Sequence, residues 1–275
     1  MSNIEAFINS ERIGSIPFVF NPEKVLAPDN VSVQIATHGM WLAAEAHRQS
    51  MNILDLGSGS GIMAVSAMLA ATGDGEYTIT AVDIDRDSVE TTELNLETAK
   101  KYASAKIGYQ VLQSDWFKAV EGESYDLILC NPPYLARSGK ISFEEALKAP
   151  KQSIYADEPT HPYRTIAHSL QAALTDFGIA VFRTEFSETN RDSIVDTFNA
   201  NGFRATRIGL HDGTREGMGL TVYRHHIMPP GLALPVVQGT RLDLSYDSQY
   251  TGGIKKPLSE AGKYWKAVAG YDLPD

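Results

Sequence analysis

From residue 52 onward, short apolar runs alternate with longer stretches in which apolar residues recur at helical spacing. Ile53–Leu56, Thr78–Val82, Tyr109–Gln113, Tyr125–Cys130, Phe177–Phe182 and Gly219–Tyr223 read as strands. The intervening pattern predicts helices over 61–71, 87–103, 160–175 and 188–200, with Asp87 or Ser88 placed to cap the second. Strands alternating with helices imply an α/β fold: a doubly wound, mostly parallel sheet with helices on both faces.

The two ends of the chain break this rhythm. Ile16–Phe20 and Lys24–Leu26 are strand-like runs separated by the turn signal Asn21-Pro22-Glu23, which predicts a short N-terminal hairpin. A helix is expected over 31–48. Residues 228–275 are rich in Pro, Gly and Tyr and hold one helical pattern at 258–269; their Leu, Val, Tyr and Trp content argues for a segment that wraps the domain or meets a partner. The expected organisation is a hairpin-and-helix segment over 1–50, a catalytic domain over 51–227 and a C-terminal extension over 228–275.

Composition narrows the function classes. The chain has 275 residues, 43% hydrophobic and 21% charged, ordinary for a globular protein. The N-terminal residues lack the apolar core of a secretory signal, no run is long enough to span a membrane, and the lone Cys130 has no internal disulfide partner. A reducing, cytoplasmic setting with no membrane partner is the expectation. A net charge of -10 argues against non-specific nucleic-acid binding, which needs a basic surface.

The run Ile53-Leu54-Asp55-Leu56-Gly57-Ser58-Gly59-Ser60-Gly61 feeds a strand through a glycine-rich turn into a helix. Counted from Gly57, the glycines fall at the first, third and fifth positions, so the dinucleotide fingerprint, which needs the sixth, fails at Ile62. The arrangement resembles motif I of class I S-adenosylmethionine (SAM)-dependent methyltransferases, which have a Rossmann-like fold. The resemblance implies that Gly57, Ser58, Gly59 and Gly61 wrap the methionine and ribose portion of SAM, and that Asp55 meets its amino group directly or through water. A second acid, Asp83, ends the next strand 22 residues after Gly61, where it can accept both ribose hydroxyls, with Ile84 packing on adenine. After the third strand, the resemblance implies that Asp115 meets the adenine amino group; Trp116 and Phe117 either pack on the ring or fill the core.

The strand Tyr125–Cys130 runs into Asn131-Pro132-Pro133-Tyr134. Ligands of open α/β sheets bind beyond the carboxyl ends of strands, and two prolines hold such a loop rigid. An amide or exocyclic aromatic nitrogen is a poor nucleophile because its lone pair is delocalised. The Asn131 side-chain oxygen and the Pro132 carbonyl can accept its two N–H groups, aim the lone pair and favour the positive charge that grows on nitrogen. Tyr134 can stack on the planar group. By strand alternation Cys130 points away from Asn131 and reads as a core residue.

Asn131-Pro132-Pro133-Tyr134 resembles motif IV of the amino-methyltransferases. With Leu112–Phe117, the glycine run and the Pro17–Pro28 segment, it is most similar to the HemK family of protein glutamine methyltransferases, over about residues 16–224. The resemblance implies SAM as cofactor and a protein glutamine as acceptor. It departs from the family in having about 15 residues ahead of the hairpin and an unfamiliar C-terminal segment, features that suit a small planar-nitrogen metabolite or an unusual protein partner. An exocyclic base nitrogen in RNA or DNA, a homo-oligomer or activator subunit, and a non-catalytic SAM-binding scaffold stay open as alternatives. No His/Cys/Asp spacing fits a metal site, the pair His225-His226 included. His161-Pro162-Tyr163-Arg164 reads as a helix start that either borders the cleft or is only structural.

Overall fold

In the computed structural model the described residues are 3–10, 12–46, 50–133, 135–136, 155–156, 158, 160–184, 188–211, 216–224 and 242–246. They form, in chain order, β1 (Ile4–Ser10), β2 (Gly14–Phe20), α1 (Asn30–Ala46), β3 (Ser50–Leu56), α2 (Ile62–Ala70), β4 (Glu76–Asp83), α3 (Arg86–Lys100), β5 (Lys106–Gln113), a 3₁₀ turn (Lys118–Val120) and β6 (Tyr125–Cys130). There follow β7 (Leu135–Ala136), β8 (Tyr155–Ala156), α4 (His161–Ala173), β9 (Leu174–Arg183), α5 (Glu188–Ala200), β10 (Phe203–His211), β11 (Glu216–Arg224) and β12 (Leu242–Tyr246).

The central sheet has seven strands in the order β10-β11-β9-β6-β3-β4-β5. β3, β4, β5, β6 and β9 pair in parallel, and β11 runs against both its neighbours. This is the Rossmann-like, mostly parallel architecture that the alternation of strand and helix predicts. The strand order reverses beside β3, between β4 on one side and β6 on the other, and such a switch point opens a crevice at the carboxyl ends of the strands.

Alternating side chains divide the core into two layers. Ile53, Ile79, Leu127, Leu129 and Val181 face one way, into a cluster shared with Ile35, Met63 and Leu96 of α1, α2 and α3. Leu54, Val82, Ile128, Cys130, Ala180 and Phe182 face the other, against Ile166 and Phe198 of α4 and α5. Cys130 is fully buried there, so burial pushes its thiol well above the usual range. α1 lies unusually close to the sheet, because a Cβ on Gly39 would stand 3.0 Å from the side chains of both Leu127 and Leu129.

The N-terminal segment differs from the expected hairpin. β2 pairs with β1, from Ile4 opposite Phe20 to Ser10 opposite Gly14. Lys24–Leu26 is not a strand. Asn21 instead closes a tight turn, its carbonyl accepting the amides of Lys24 and Val25, and Val25 drops into the core. β12 pairs antiparallel with the other edge of β1, giving a sheet of order β12-β1-β2. Ile8, Phe18 and Phe20 are buried in the same core layer as α2 and α3, each burial worth roughly 1.5–3 kcal/mol. Of the C-terminal extension only β12 belongs to the described residues; the helical pattern at 258–269 and His225-His226 lie outside them. No helix among the described residues is long and apolar enough to cross a membrane.

Candidate active site

The crevice at the switch point is a cleft of about 280 Å³. Its walls include Gly57, Ser58, Gly59, Asp83, Ile84, Asp115, Trp116, Asn131, Pro132 and Pro133, drawn from the turns after β3, β4, β5 and β6. Leu26, Ala27, Pro28 and Ser32, from the segment that enters α1, close the side next to Asn131. Tyr134 lies outside the described residues.

The floor is the glycine turn. Gly57, Gly59 and Gly61 have φ of 79°, 56° and 82°, a left-handed conformation that side chains rarely adopt. A Cβ on Gly57 or Gly59 would meet open space, whereas one on Gly61 would stand 3.0 Å from Thr92. Gly61 therefore does not line the cleft; it lets the start of α2 pack against α3. From below, α3 props the turn. Thr92 Oγ1 lies 3.0 Å from Ser58 Oγ and donates to the Gly59 carbonyl at 3.2 Å. Asn95 donates to the carbonyls of Ser60 and Val19 and accepts the Val19 amide, tying the turn to β2. Neither Thr92 nor Asn95 stands out in the sequence, where both read as ordinary helical residues.

Asp55 is fully buried beneath the turn rather than on the cleft wall. Its Oδ2 accepts the Ala64 amide at 2.9 Å, and Oδ1 has no hydrogen-bond partner among the described residues. Burial pushes its carboxyl up to about 7; the Ala64 amide works against that rise and the nearby Asp83 adds to it. Asp83 stands at the rim. One of its oxygens accepts the Gly59 amide at 2.8 Å and the other the Asp85 amide at 2.9 Å, and the residue lines the cleft. Ile84 is 56% exposed beside it, an apolar surface open to a flat ligand.

Trp116 has φ of 51°, the one non-glycine residue with positive φ among those described. Ser114 holds this conformation, donating to the Trp116 carbonyl at 2.7 Å and accepting the Ala119 amide at 2.9 Å. Asp115 pairs with Lys118 at 2.6 Å. Of the two aromatics, Trp116 lines the cleft and Phe117 is buried in the core. His161 begins α4, and neither it nor Pro162 lines the cleft.

At the far end, Asn131 follows β6 and its Nδ2 lies 3.4 Å from Ser32 Oγ. Ser32 is held in turn by Asp29, which accepts its backbone amide at 2.8 Å. Asp29 forms an ion pair with Arg183 at the end of β9. Burial raises the Asp29 carboxyl, but Arg183 and the Ser32 hydrogen bonds outweigh it and hold it below the ordinary carboxylate range.

Residues 33–149 match the family described as Methyltransferase small domain. S-adenosylmethionine is the cofactor that this match indicates, and the residues present fit it: a buried acid with an unpartnered oxygen, an open glycine cradle, an acidic rim and an exposed apolar edge. Among curated proteins, a release factor glutamine methyltransferase of Shewanella oneidensis is 30% identical over 143 residues, 50% of this chain and 46% of that protein. Its counterpart in Salmonella typhimurium is 35% identical over 111 residues, 40% of this chain and 37% of that protein. A bifunctional methyltransferase of Rickettsia typhi is 30% identical over 146 residues, 52% of this chain. The chain thus spans 27% of the length of the Rickettsia relative and less than half of the two glutamine methyltransferases. Among solved structures, the hMettl16 catalytic domain in complex with MAT2A 3'UTR hairpin 1 superposes with a TM-score of 0.56 at 15% identity, covering 76% of this chain and 74% of that one; the likeness is one of fold.

Proposed function

We propose that this protein is a SAM-dependent N-methyltransferase whose acceptor is a planar amide nitrogen, most simply a glutamine side chain in a cytoplasmic protein. The observation that carries the reading is that Asn131, Pro132 and Pro133 line the same cleft as Gly57, Gly59 and Asp83. Asp83 holds the ribose, Ile84 and Trp116 flank the adenine and Asp115 meets its amino group, while Asp55 acts from beneath the glycine turn, where its carboxylate holds the Ala64 amide. Bound SAM supplies an electrophilic methyl group at the cleft. The Asn131 side-chain oxygen and the Pro132 carbonyl accept the two N–H groups of the acceptor, turn its lone pair toward that methyl and favour the developing positive charge. Tyr134 follows directly in sequence and is the residue to stack on the planar group. A glutamine acceptor is supported by the similarity to the Shewanella and Salmonella release factor glutamine methyltransferases, and the net charge of -10 weighs against a nucleic-acid acceptor.

The test is incubation of the pure protein with tritiated-methyl SAM and a cell extract, followed by separation of protein, nucleic-acid and small-molecule fractions. Label in one protein band, lost by about 10²-fold or more in Asn131→Ala, is the expected result. Label in the small-molecule or nucleic-acid fraction would replace the acceptor and keep the chemistry. Full activity of Asn131→Ala would overturn the role of the Asn131 amide.

A further inference from the structure

We propose that Ser114 is a positioning residue for cofactor recognition: through its hydroxyl it holds Trp116 in a left-handed backbone setting that makes this residue a wall of the adenine slot. This rests on the placement of adenine between Ile84 and Trp116 given above and is independent of the acceptor.

In an extended chain consecutive side chains point to opposite sides, so Asp115 and Trp116 could not both serve one cleft. Both line it. The backbone at Trp116 makes this possible. Its φ of 51° lies roughly 100° or more from the range that L residues ordinarily take, and it turns the chain sharply between the two side chains. Asp115 then meets the edge of the base and Trp116 its face. Glycine or asparagine takes such a φ at little cost, whereas a bulky aromatic residue takes it only where its neighbours hold it there.

Ser114 is the neighbour that does so. Its hydroxyl donates to the Trp116 carbonyl at 2.7 Å and accepts the Ala119 amide at 2.9 Å, which spans the turn from both sides. Ser114 is 6% exposed, so water does not compete for these bonds. Its one hydroxyl hydrogen is given to Trp116, and none is left to donate to a ligand. Its backbone amide reaches the other way and donates to the Asp83 carbonyl at 2.8 Å. The adjacent Gln113 donates from Nε2 to the Ile84 carbonyl at 2.9 Å. The β4–β5 ladder ends with Asp83 opposite Gln113, so these bonds carry its register one step past the sheet. Ile84 and Trp116, the two walls of the slot, are thus joined through Gln113-Ser114, and the ribose acid Asp83 is held in the same brace.

The experiment compares the full-length protein with Ser114→Ala, Ser114→Thr, Trp116→Gly and the double variant Ser114→Ala/Trp116→Gly. The probe is S-adenosylhomocysteine, which carries the same adenosine and needs no acceptor. Its affinity is read by calorimetry, and the indole N–H signal of Trp116, identified by its loss in Trp116→Gly, is followed in ¹⁵N-labelled protein. Ser114→Ala should weaken binding about tenfold and move the Trp116 signal of the unliganded protein, and Ser114→Thr, which keeps the hydroxyl, should stay within about threefold of wild type. Trp116→Gly should weaken binding about tenfold or more. Because Ser114 acts through Trp116, adding Ser114→Ala to that variant should change affinity less than about twofold. Wild-type affinity with an unmoved Trp116 signal in Ser114→Ala overturns the proposal. So do losses that add in the double variant, which would make Ser114 a direct cofactor contact; both results leave the adenine beside Trp116. Unchanged affinity in Trp116→Gly instead takes the adenine away from that residue, and the role of Ser114 falls with the placement. Where Ser114→Ala alone does not fold, the two glycine variants carry the same comparison, since glycine takes the turn without strain. The acceptor is decided separately, by the methyl-label experiment.

Discussion

The Asp83 carboxylate accepts the Gly59 amide at 2.8 Å, so the turns that follow β3 and β4 share one hydrogen bond. The acid at the end of the second sheet strand is therefore part of the glycine turn's own scaffold as well as a rim group for ligand.

Asp83→Ala should lose on both counts. Two backbone amides, those of Gly59 and Asp85, are left without their acceptor, at a cost of about 1–3 kcal/mol of stability. SAM affinity, measured by calorimetry, should weaken about tenfold or more. An affinity within twofold of wild type would remove Asp83 from the ribose site.

Gly61→Ala separates backbone from binding. The new methyl would enter a space 3.0 Å from Thr92 at φ of 82°, so a loss of about 1–3 kcal/mol is expected in urea denaturation, with the m-value unchanged. A neutral result would mean that α2 and α3 can part at little cost.

Asn95→Ala leaves the amide and carbonyl of Val19 and the carbonyl of Ser60 without this partner. We expect about 2–3 kcal/mol of destabilisation and, because the glycine turn loses its tie to β2, weaker SAM binding in the folded fraction. Calorimetry well below the melting temperature separates the two effects.

Asp55 gives a pH signature. Its carboxyl rises in the fold from an ordinary 3.8 to about 7, so the folded state keeps a proton that the unfolded chain gives up. The stability contributed by this group is complete below about pH 4 and is lost as pH rises through about 7, at up to ~1.4 kcal/mol per pH unit. Asp55→Asn cannot titrate. Urea unfolding at pH 5, 6, 7 and 8 should show the variant gaining on the wild type as pH rises. A constant difference across that range would mean that Asp55 is ionised in the fold throughout.

The parts of this molecule that sequence reveals are those in which one short segment carries the whole signal. β3, β4 and β6 are buried on both faces and read as plain apolar runs, and the glycine turn and Asn131-Pro132-Pro133 are contiguous. β1 carries little signal in the sequence because its inward positions are Ala6, Ile8 and Ser10, only one of them large and apolar. β10, an edge strand of sequence FRATRIGLH, gives little alternation to read. Asn21-Pro22-Glu23 is a genuine turn, but it leads Val25 into the core instead of back along a strand, and the hairpin forms between β1 and β2. Asp29 and Arg183 are 154 residues apart, and nothing local to either announces the other.

β12 gives β1 a partner that is synthesised much later. Ala6 pairs with Tyr246, a separation of about 240 residues, so on the ribosome β1 and β2 emerge long before Leu242–Tyr246 exists. Throughout that interval one edge of β1 offers a row of open amides and carbonyls, the kind of template on which nascent chains associate wrongly. Synthesis through Leu242–Tyr246 is what shields that edge of β1, and a chain cut short before residue 242 would carry it unshielded for its whole lifetime.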